Sequence, residues 1–326
     1  MTVFHRNEQK NPLPDALKGG VIAIGNFDGV HRGHQAVLGE ALERAQSRGV
    51  PAIVLTFEPH PRSVFNPDKP VFRLTPPSLR ARLLEALGFH CVVEYPFDRE
   101  FSTTSAETFV KSILVDWLGA SQVVTGVDFH FGKGREGGPA FLMGAGERHG
   151  FGVTLIDPFR DEGAEIISSS RIRTLIAKGD VAQAAGLLGY RYTVEAEVFK
   201  GQQLGRTIGF PTANMELAPE AELKPGIYAV RFRRADGTLH DGVASFGYRP
   251  TVSSDGAAWL ETYIFDFDGD LYGETCSVSF FGHLRDELKF DGLDPLVAQI
   301  RRDEEEARAL LSGVRTLGDL DTVIAF

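Results

Sequence analysis

Val21-Ile22-Ala23-Ile24-Gly25-Asn26-Phe27-Asp28-Gly29-Val30-His31-Arg32-Gly33-His34 is the stretch on which the fold turns. Four consecutive apolar residues read as a strand buried on both faces, the pattern of a parallel sheet. The glycine-rich turn then opens a helix predicted over 33–48. A strand-to-helix turn of this kind aims backbone N–H groups and a helix N-terminus at a phosphate, which makes Gly25, Asn26, Phe27, Asp28, Gly29 and Gly33 candidate phosphate ligands. His31 and His34 would share one face of the first helical turn. Two imidazoles there can hydrogen-bond a triphosphate and stabilise charge developing at an α-phosphorus and its leaving pyrophosphate. The plain alternative is a surface turn with two solvated histidines.

Outward from this turn the alternation of strand and helix continues. Apolar runs at 52–57, 91–95, 122–125 and 153–156 are separated by helical periodicity at 78–87, 105–118 and 139–149. This order predicts an α/β domain with a parallel, Rossmann-like sheet covered by helices. Two further helices are expected at 170–178 and 181–188, each stopped by a glycine, Gly179 and Gly189. Beyond Gly189 the period changes to two, in 193–198, 228–233 and 276–280, with turns at Asp236-Gly237, Asp268-Gly269 and Tyr272-Gly273. That predicts a small antiparallel β-barrel or sheet. A single long helix, N-capped by Asp294 with Pro295 at its first position and running to about Leu311, is expected to close the chain. Asp303-Glu304-Glu305-Glu306 reads as its solvated face. The domains divide as 1–186 and 187–326.

The chain has 326 residues, enough for two cores, and 34 basic against 44 acidic side chains give a net charge of −10. With 43% hydrophobic and 24% charged residues it is an ordinary globular sequence. The acidic balance excludes nucleic acid and acidic membrane surfaces as bulk partners, so clusters of Arg, Lys and Gly must serve a small anion. No apolar run is long enough to span a bilayer, and residues 1–7 show no signal-peptide apolar region. Cys91 and Cys276 are the only cysteines, which fits a reduced, cytoplasmic setting and neither a disulfide scaffold nor zinc. There is no G-x-x-x-x-G-K-[ST]. Gly132-Lys133-Gly134-Arg135-Glu136-Gly137 matches G-x-G-x-x-G by letter but falls late in its domain, so it reads as a mobile basic loop and not a dinucleotide fingerprint.

A second glycine-rich segment follows the first strand of the barrel. Gly201, Gly205 and Gly209 recur every fourth residue around Arg206, ahead of Phe210-Pro211-Thr212-Ala213-Asn214. Such a loop can wrap phosphates while Arg206 supplies charge. Thr212 and Asn214, two apart in an extended segment, would present oxygens on one side, a donor set suited to Mg²⁺. The plain alternative is a glycine-rich hairpin with a satisfied Asn. In the strand 260–264, period two puts Glu261 on one face with Tyr263 and Phe265. A carboxylate among aromatics is partly desolvated, which favours proton acceptance, although the same pattern also fits an edge glutamate facing water.

The string Gly25–His34 resembles the H-x-G-H signature of the nucleotidyltransferase superfamily. Together with segments 56–61, 126–134 and 168–173 it is similar to the N-terminal module of bacterial bifunctional riboflavin kinase/FAD synthetases. That resemblance implies transfer of AMP from ATP to FMN with release of pyrophosphate. It also implies a phosphate clamp of Ser169, Ser170, Arg171 and Arg173 at a helix start, and flavin contacts among His60, Asp128 and Phe129. His60 either touches flavin or only braces the turn between Pro59 and Pro61. The family usually has Thr where Ser170 stands, and many members have Arg where His130 stands.

The stretch 201–214 resembles the G-R-x-x-G-F-P-T-A-N motif of riboflavin kinases, and segments 224–228, 242–252, 260–263, 266–273 and 284–287 continue it. This resemblance implies a flavin-kinase barrel that moves the ATP γ-phosphoryl to the ribityl 5′-hydroxyl, with Mg²⁺ and with Glu261 as the group acting on that hydroxyl. Arg285 would contact flavin or phosphate, or form a surface ion pair with Asp286 or Glu287. The implied whole is a bifunctional enzyme using riboflavin, FMN and ATP. The alternatives are another adenylyl- or cytidylyltransferase carrying a flavin-binding barrel, and a non-catalytic flavin-binding protein. Oligomeric state is left open by the sequence.

Overall fold

The computed structural model describes residues 1–5, 12–201, 204–249 and 257–326. Arg6, Asn7, Gln202, Gln203 and 250–252 lie outside them. The chain divides into two compact units, Met1–Val71 with Pro76–Ser168, and Phe72–Thr75 with Ser169–Phe326.

The first unit contains β1 (Thr2–His5), β2 (Val21–Ile24), α1 (Arg32–Arg48), β3 (Ala52–Glu58), α2 (Pro61–Phe65), α3 (Pro77–Ala86), β4 (Cys91–Pro96), α4 (Ala106–Phe109), β5 (Gln122–Gly126), α5 (Pro139–His149) and β6 (Gly152–Ile156). Its sheet has the order β1-β4-β3-β2-β5-β6 and every pairing is parallel. The strands read apolar throughout because helices cover both faces: Ile22, Ile24, Ile53, Leu55 and Val93 pack with Phe109, Ile113 and Leu114 on one side. Burying an aliphatic side chain of this size contributes roughly 1.5–3 kcal/mol, so this layer is a main source of the unit's stability.

The chain leaves β2 toward β3 and β4 on one side, and places β5 and β6 on the other. The gap beyond the carboxyl ends of β2 and β5 is therefore a topological switch point, where ligands bind in open parallel sheets. The sequence places Gly25–His34 and Gly126–Asp128 at that edge.

The second unit begins with α6 (Ser169–Ala177) and α7 (Val181–Leu188), followed by β7 (Thr193–Phe199), α8 (Leu204–Thr207), β8 (Thr212–Leu217), β9 (Gly226–Arg233), β10 (Leu239–Arg249), β11 (Ala257–Ile264), β12 (Thr275–Arg285), α9 (Leu293–Ser312) and α10 (Asp319–Ala325). The six strands close into an antiparallel barrel in the order β10-β11-β8-β7-β12-β9. Closure removes sheet edges. Inward positions such as Phe232, Phe246, Leu260 and Phe280 are fully buried, and α9 packs on the outside of β9, β10 and β12.

Helices α6 and α7 fall in the same compact unit as the barrel, with α7 packed on β12. Several local expectations are corrected. The helix expected at 105–118 is one α-helical turn, α4, continued by a π-helical segment at Val110–Val115. The long helix starts at Leu293 behind Gly292, whose φ of 134° suits glycine, so Asp294 lies in the first turn and is not the N-cap. There it still favours the helix dipole. That helix does not close the chain, because α10 follows it.

The acidic run is not wholly solvated either: Asp303 is 2% exposed and ion-paired. The expected mobile loop 132–137 is tied down. Phe131 and Gly137 form a β-bridge, the Lys133 amide donates to the Thr104 carbonyl, and Glu136 accepts from the Ala106 amide.

Candidate functional sites

The turn after β2 is held in an unusual backbone conformation by burial. Phe27 and Val30 have φ of 48° and 37°, which costs energy for residues with a β-carbon, yet both are buried and so is Asp28. The Gly25 amide donates to Leu55, and Thr56 Oγ1 and Thr125 Oγ1 donate to the carbonyls of Asn26 and Ile24. The neighbouring strands thus fix where the turn leaves the sheet.

His31 is the N-cap of α1, its Nδ1 accepting from the His34 amide at 3.2 Å. An acceptor at Nδ1 places the ring proton on Nε2, so Nε2 of the neutral ring is a donor. The two imidazoles stack with centroids 3.6 Å apart, and the Phe27 ring meets His34 edge-on at 5.4 Å. At Gly33 a β-carbon would lie 3.2 Å from the His31 ring, a tight contact that the ring would relieve by moving a few tenths of an ångström.

At the end of β5, Asp128 is exposed and Phe129 stacks on Phe131 at 5.4 Å. His130 bends back to its own loop, with Nδ1 2.8 Å from the Asp128 carbonyl. His60 is 7% exposed and its Nδ1 caps α2 by accepting from the Arg62 amide. Sequence reasoning did not find an aromatic ledge in the same unit. Phe97 packs edge-on against Phe57 and against Phe65, which is 60% exposed, at 6.0 and 5.9 Å. Twenty-four phenylalanines hid these positions, and only the exposure of Phe65 marks it.

Ser169 and Ser170 begin α6 in the second unit. Arg171 is half-buried, and Arg173 Nε donates to the Phe72 carbonyl at 2.6 Å.

The barrel site is built from β8 and β11 with the loop before β8. Gly205 admits no side chain, because a β-carbon would lie 2.2 Å from the Phe210 carbonyl oxygen, and Gly209 has φ of 86°. Gly201 lies against Asn214, where a β-carbon would meet the amide oxygen at 2.7 Å. Asn214 is 5% exposed and its Nδ2 donates to the Thr212 carbonyl at 3.1 Å, so its Oδ1 is the acceptor side.

In the β8/β11 ladder Asn214 pairs with Glu261 and Thr212 with Tyr263. Leu260, Thr262 and Ile264 face the barrel interior, so Glu261 stands on the outer face with Tyr263. Burial pushes the Tyr263 hydroxyl pKa up, and its ring packs edge-on with Phe210 at 5.1 Å. A cavity of about 440 Å³ adjoins these residues. Val198, Pro211, Ile264 and Leu271 supply its apolar walls, while Arg206, Thr212 and Asp268 line its polar side. Arg285 is pinned elsewhere: Nε and Nη2 form a bidentate pair with Asp303 of α9 at 2.8 and 2.6 Å. It is an ion pair, but neither of the carboxylates expected from sequence is its partner.

The donors at Thr212 and Asn214 are neutral oxygens. They fit a hard cation whose charge is balanced by phosphate and by Glu261 opposite.

Residues 13–171 match the family described as FAD synthetase and residues 188–311 the family described as riboflavin kinase. The chain is 40% identical to the bifunctional riboflavin kinase/FMN adenylyltransferase of Listeria monocytogenes over 90% of this chain and 92% of that one. It is 34% identical to the protein of the same description from Bacillus subtilis over 97% and 100%. A solved structure from Streptococcus pneumoniae, described as a macrolide-efflux protein, superposes with a TM-score of 0.84 at 31% identity, covering 94% of this chain and 99% of that one. Among the described residues no helix is long and apolar enough to cross a membrane.

Proposed function

The chain belongs to the bifunctional riboflavin kinase/FMN adenylyltransferase family, and from that premise we propose which residues carry each step. The protein phosphorylates riboflavin to FMN in its C-terminal part and adenylylates FMN to FAD in its N-terminal part. We assign the second reaction to residues 1–186 and the first to 187–326.

In the kinase step the Glu261 carboxylate accepts the proton of the riboflavin 5′-hydroxyl as its oxygen attacks the γ-phosphorus and ADP leaves. The nucleotide enters the cavity beside β8, with Gly201, Gly205, Arg206, Gly209, Phe210 and Pro211 shaping its phosphate end. Thr212 and Asn214 would hold Mg²⁺, which would supply charge neutralisation at the phosphates. The Asn214–Glu261 register supports this reading, because it sets a proton acceptor beside an oxygen donor on one barrel face. Arg285, tied to Asp303, positions the end of β12 and is at most an indirect contributor to flavin binding.

In the adenylylation step an FMN phosphate oxygen attacks the α-phosphorus and pyrophosphate leaves. His31 and His34 donate hydrogen bonds to the developing charge, and the turn Gly25, Asn26, Phe27, Asp28, Gly29 and Gly33 receives the nucleotide. Ser169, Ser170, Arg171 and Arg173, at the start of α6, are kept as candidate phosphate ligands. Asp128 and Phe129, with His60 and the ring pair of Phe65 and Phe97, receive the flavin. The need for ATP and two unpaired, buried cysteines favour a cytoplasmic setting.

Chromatography of riboflavin incubated with MgATP and the protein tests the whole reading. It requires riboflavin to pass through FMN to FAD. Pyrophosphate release from CTP in place of ATP would favour another nucleotidyltransferase, and no product at all would favour a binding protein.

A further inference from the structure

We propose that Arg32 is a phosphate-binding residue of the adenylylation site and that the Glu162 carboxylate competes with the polyphosphate for it. This rests on the assignment of His31 and His34 to that site. Arg32 directly follows His31 as the first residue of α1. Its guanidinium makes a bidentate pair with Glu162, Nη1 to Oε2 at 3.1 Å and Nη2 to Oε1 at 2.7 Å, and lies over the Phe159 ring at 5.3 Å. A planar fork stacked on a ring is a preorganised receptor for a planar or tetrahedral oxyanion.

Glu162 reaches Arg32 from a hairpin that organises itself. Arg160 and Ile166 form a β-bridge, and Asp161 Oδ1 accepts from the amides of Gly163 and Glu165 at 3.0 Å each. The root of the hairpin lies at the first turn of α1, because the Ile167 carbonyl would be 3.5 Å from a β-carbon on Gly33. The Ile167 amide in turn donates to Phe159. The pair therefore sits next to the stacked histidines.

The two partners differ in what they lose on separating. The Glu162 side chain is 78% exposed and that of Arg32 28%. A hydrated surface carboxylate is held weakly and returns to water at little cost. The half-buried guanidinium gains more from an anion of higher charge, and a pyrophosphate group offers one. Asp157, Asp161, Glu162 and Glu165 outnumber Arg160 on this hairpin, so its field opposes an incoming polyphosphate. Arg32 holds the Glu162 carboxyl below the usual carboxylate range, so both partners are charged at neutral pH and the competition is between anions.

The test uses the full-length protein at saturating FMN, with MgATP varied and inorganic pyrophosphate as inhibitor. Glu162→Gln should lower the KM for ATP about threefold and tighten inhibition by pyrophosphate in proportion, because a competing charge is gone. Arg32→Gln should raise both constants about tenfold, the effect of one lost charge-assisted contact. The double variant should behave as Arg32→Gln, since Glu162 then has nothing to compete for. If both single variants raise the KM, the pair is a structural strut and the proposal is overturned. Constants within twofold of the parent for either single variant also overturn it. Circular dichroism and the denaturant midpoint of the same preparations report folding. Should Arg32→Gln not fold, the sign of the Glu162→Gln effect decides alone. An unaltered protein that makes no FAD from FMN and MgATP would sink the site assignment itself, a separate outcome.

Discussion

Glu261 stands directly opposite Asn214 across the ladder of β8 and β11, and the Asn214 amide group is turned toward the Thr212 carbonyl. The pairing places the proposed proton acceptor next to the proposed metal ligand without any loop in between. Glu261→Gln keeps the shape and removes the base. We expect riboflavin phosphorylation to fall by about 10²–10⁴, with FMN adenylylation by the same preparation within about twofold, the expectation for a group absent from that site. Loss of both activities in a folded variant would refute the separation of sites.

His31 has two roles that can be separated, since its Nδ1 caps α1 while its Nε2 carries the ring proton. His31→Asn keeps an N-cap acceptor, whereas His31→Ala removes it at a cost of about 1 kcal/mol. The Asn variant should unfold at the parent's denaturant midpoint yet lose FMN adenylylation about a hundredfold or more. An Asn variant with parental adenylylation would show that His31 only caps.

Gly201 is packed against the Asn214 amide, with 2.7 Å to the position of a β-carbon. Gly201→Ala must therefore push Asn214 aside. The Mg²⁺ concentration for half-maximal riboflavin phosphorylation should rise about tenfold, as for loss of one oxygen ligand. An unchanged Mg²⁺ dependence would exclude Asn214 as a metal ligand.

Asp321 of α10 is fully buried and accepts from the Arg191 amide and guanidinium and from the Leu317 amide. Asp321→Ala leaves the Arg191 cation without its partner, and breaking a buried pair costs about 3–5 kcal/mol. Denaturant unfolding should show a transition of the second unit at much lower midpoint. A midpoint shift worth less than about 1 kcal/mol would mean that water replaces the carboxylate.

Burial and the nearby Lys224 ammonium hold the His283 pKa below the ordinary histidine value, against the opposing pull of Asp286. The unfolded chain then binds a proton at higher pH than the folded one. This contribution to stability is present above the unfolded value, near 6.5, and is lost as pH falls below it. His283→Gln should flatten the stability profile below about pH 6.5. A profile as steep as the parent's would assign the slope to other groups.

Much of this was legible because local chemistry wrote it into the chain. Continuous apolar runs mark strands buried on both faces, period two after Gly189 marks the barrel, and the glycines at 25, 29 and 33 and at 201, 205 and 209 mark the two tight turns. Each of these depends on residues near one another in sequence. The pairings that complete the sites do not. Asn214 meets Glu261 only when β8 and β11 come into register, and Arg285 finds Asp303 only when α9 folds onto the barrel. Arg32 meets Glu162 across 130 residues. Periodicity tells which way a side chain faces, but which distant group it faces is decided by strand register and helix docking, so the motifs were determined by sequence and their partners by the tertiary structure.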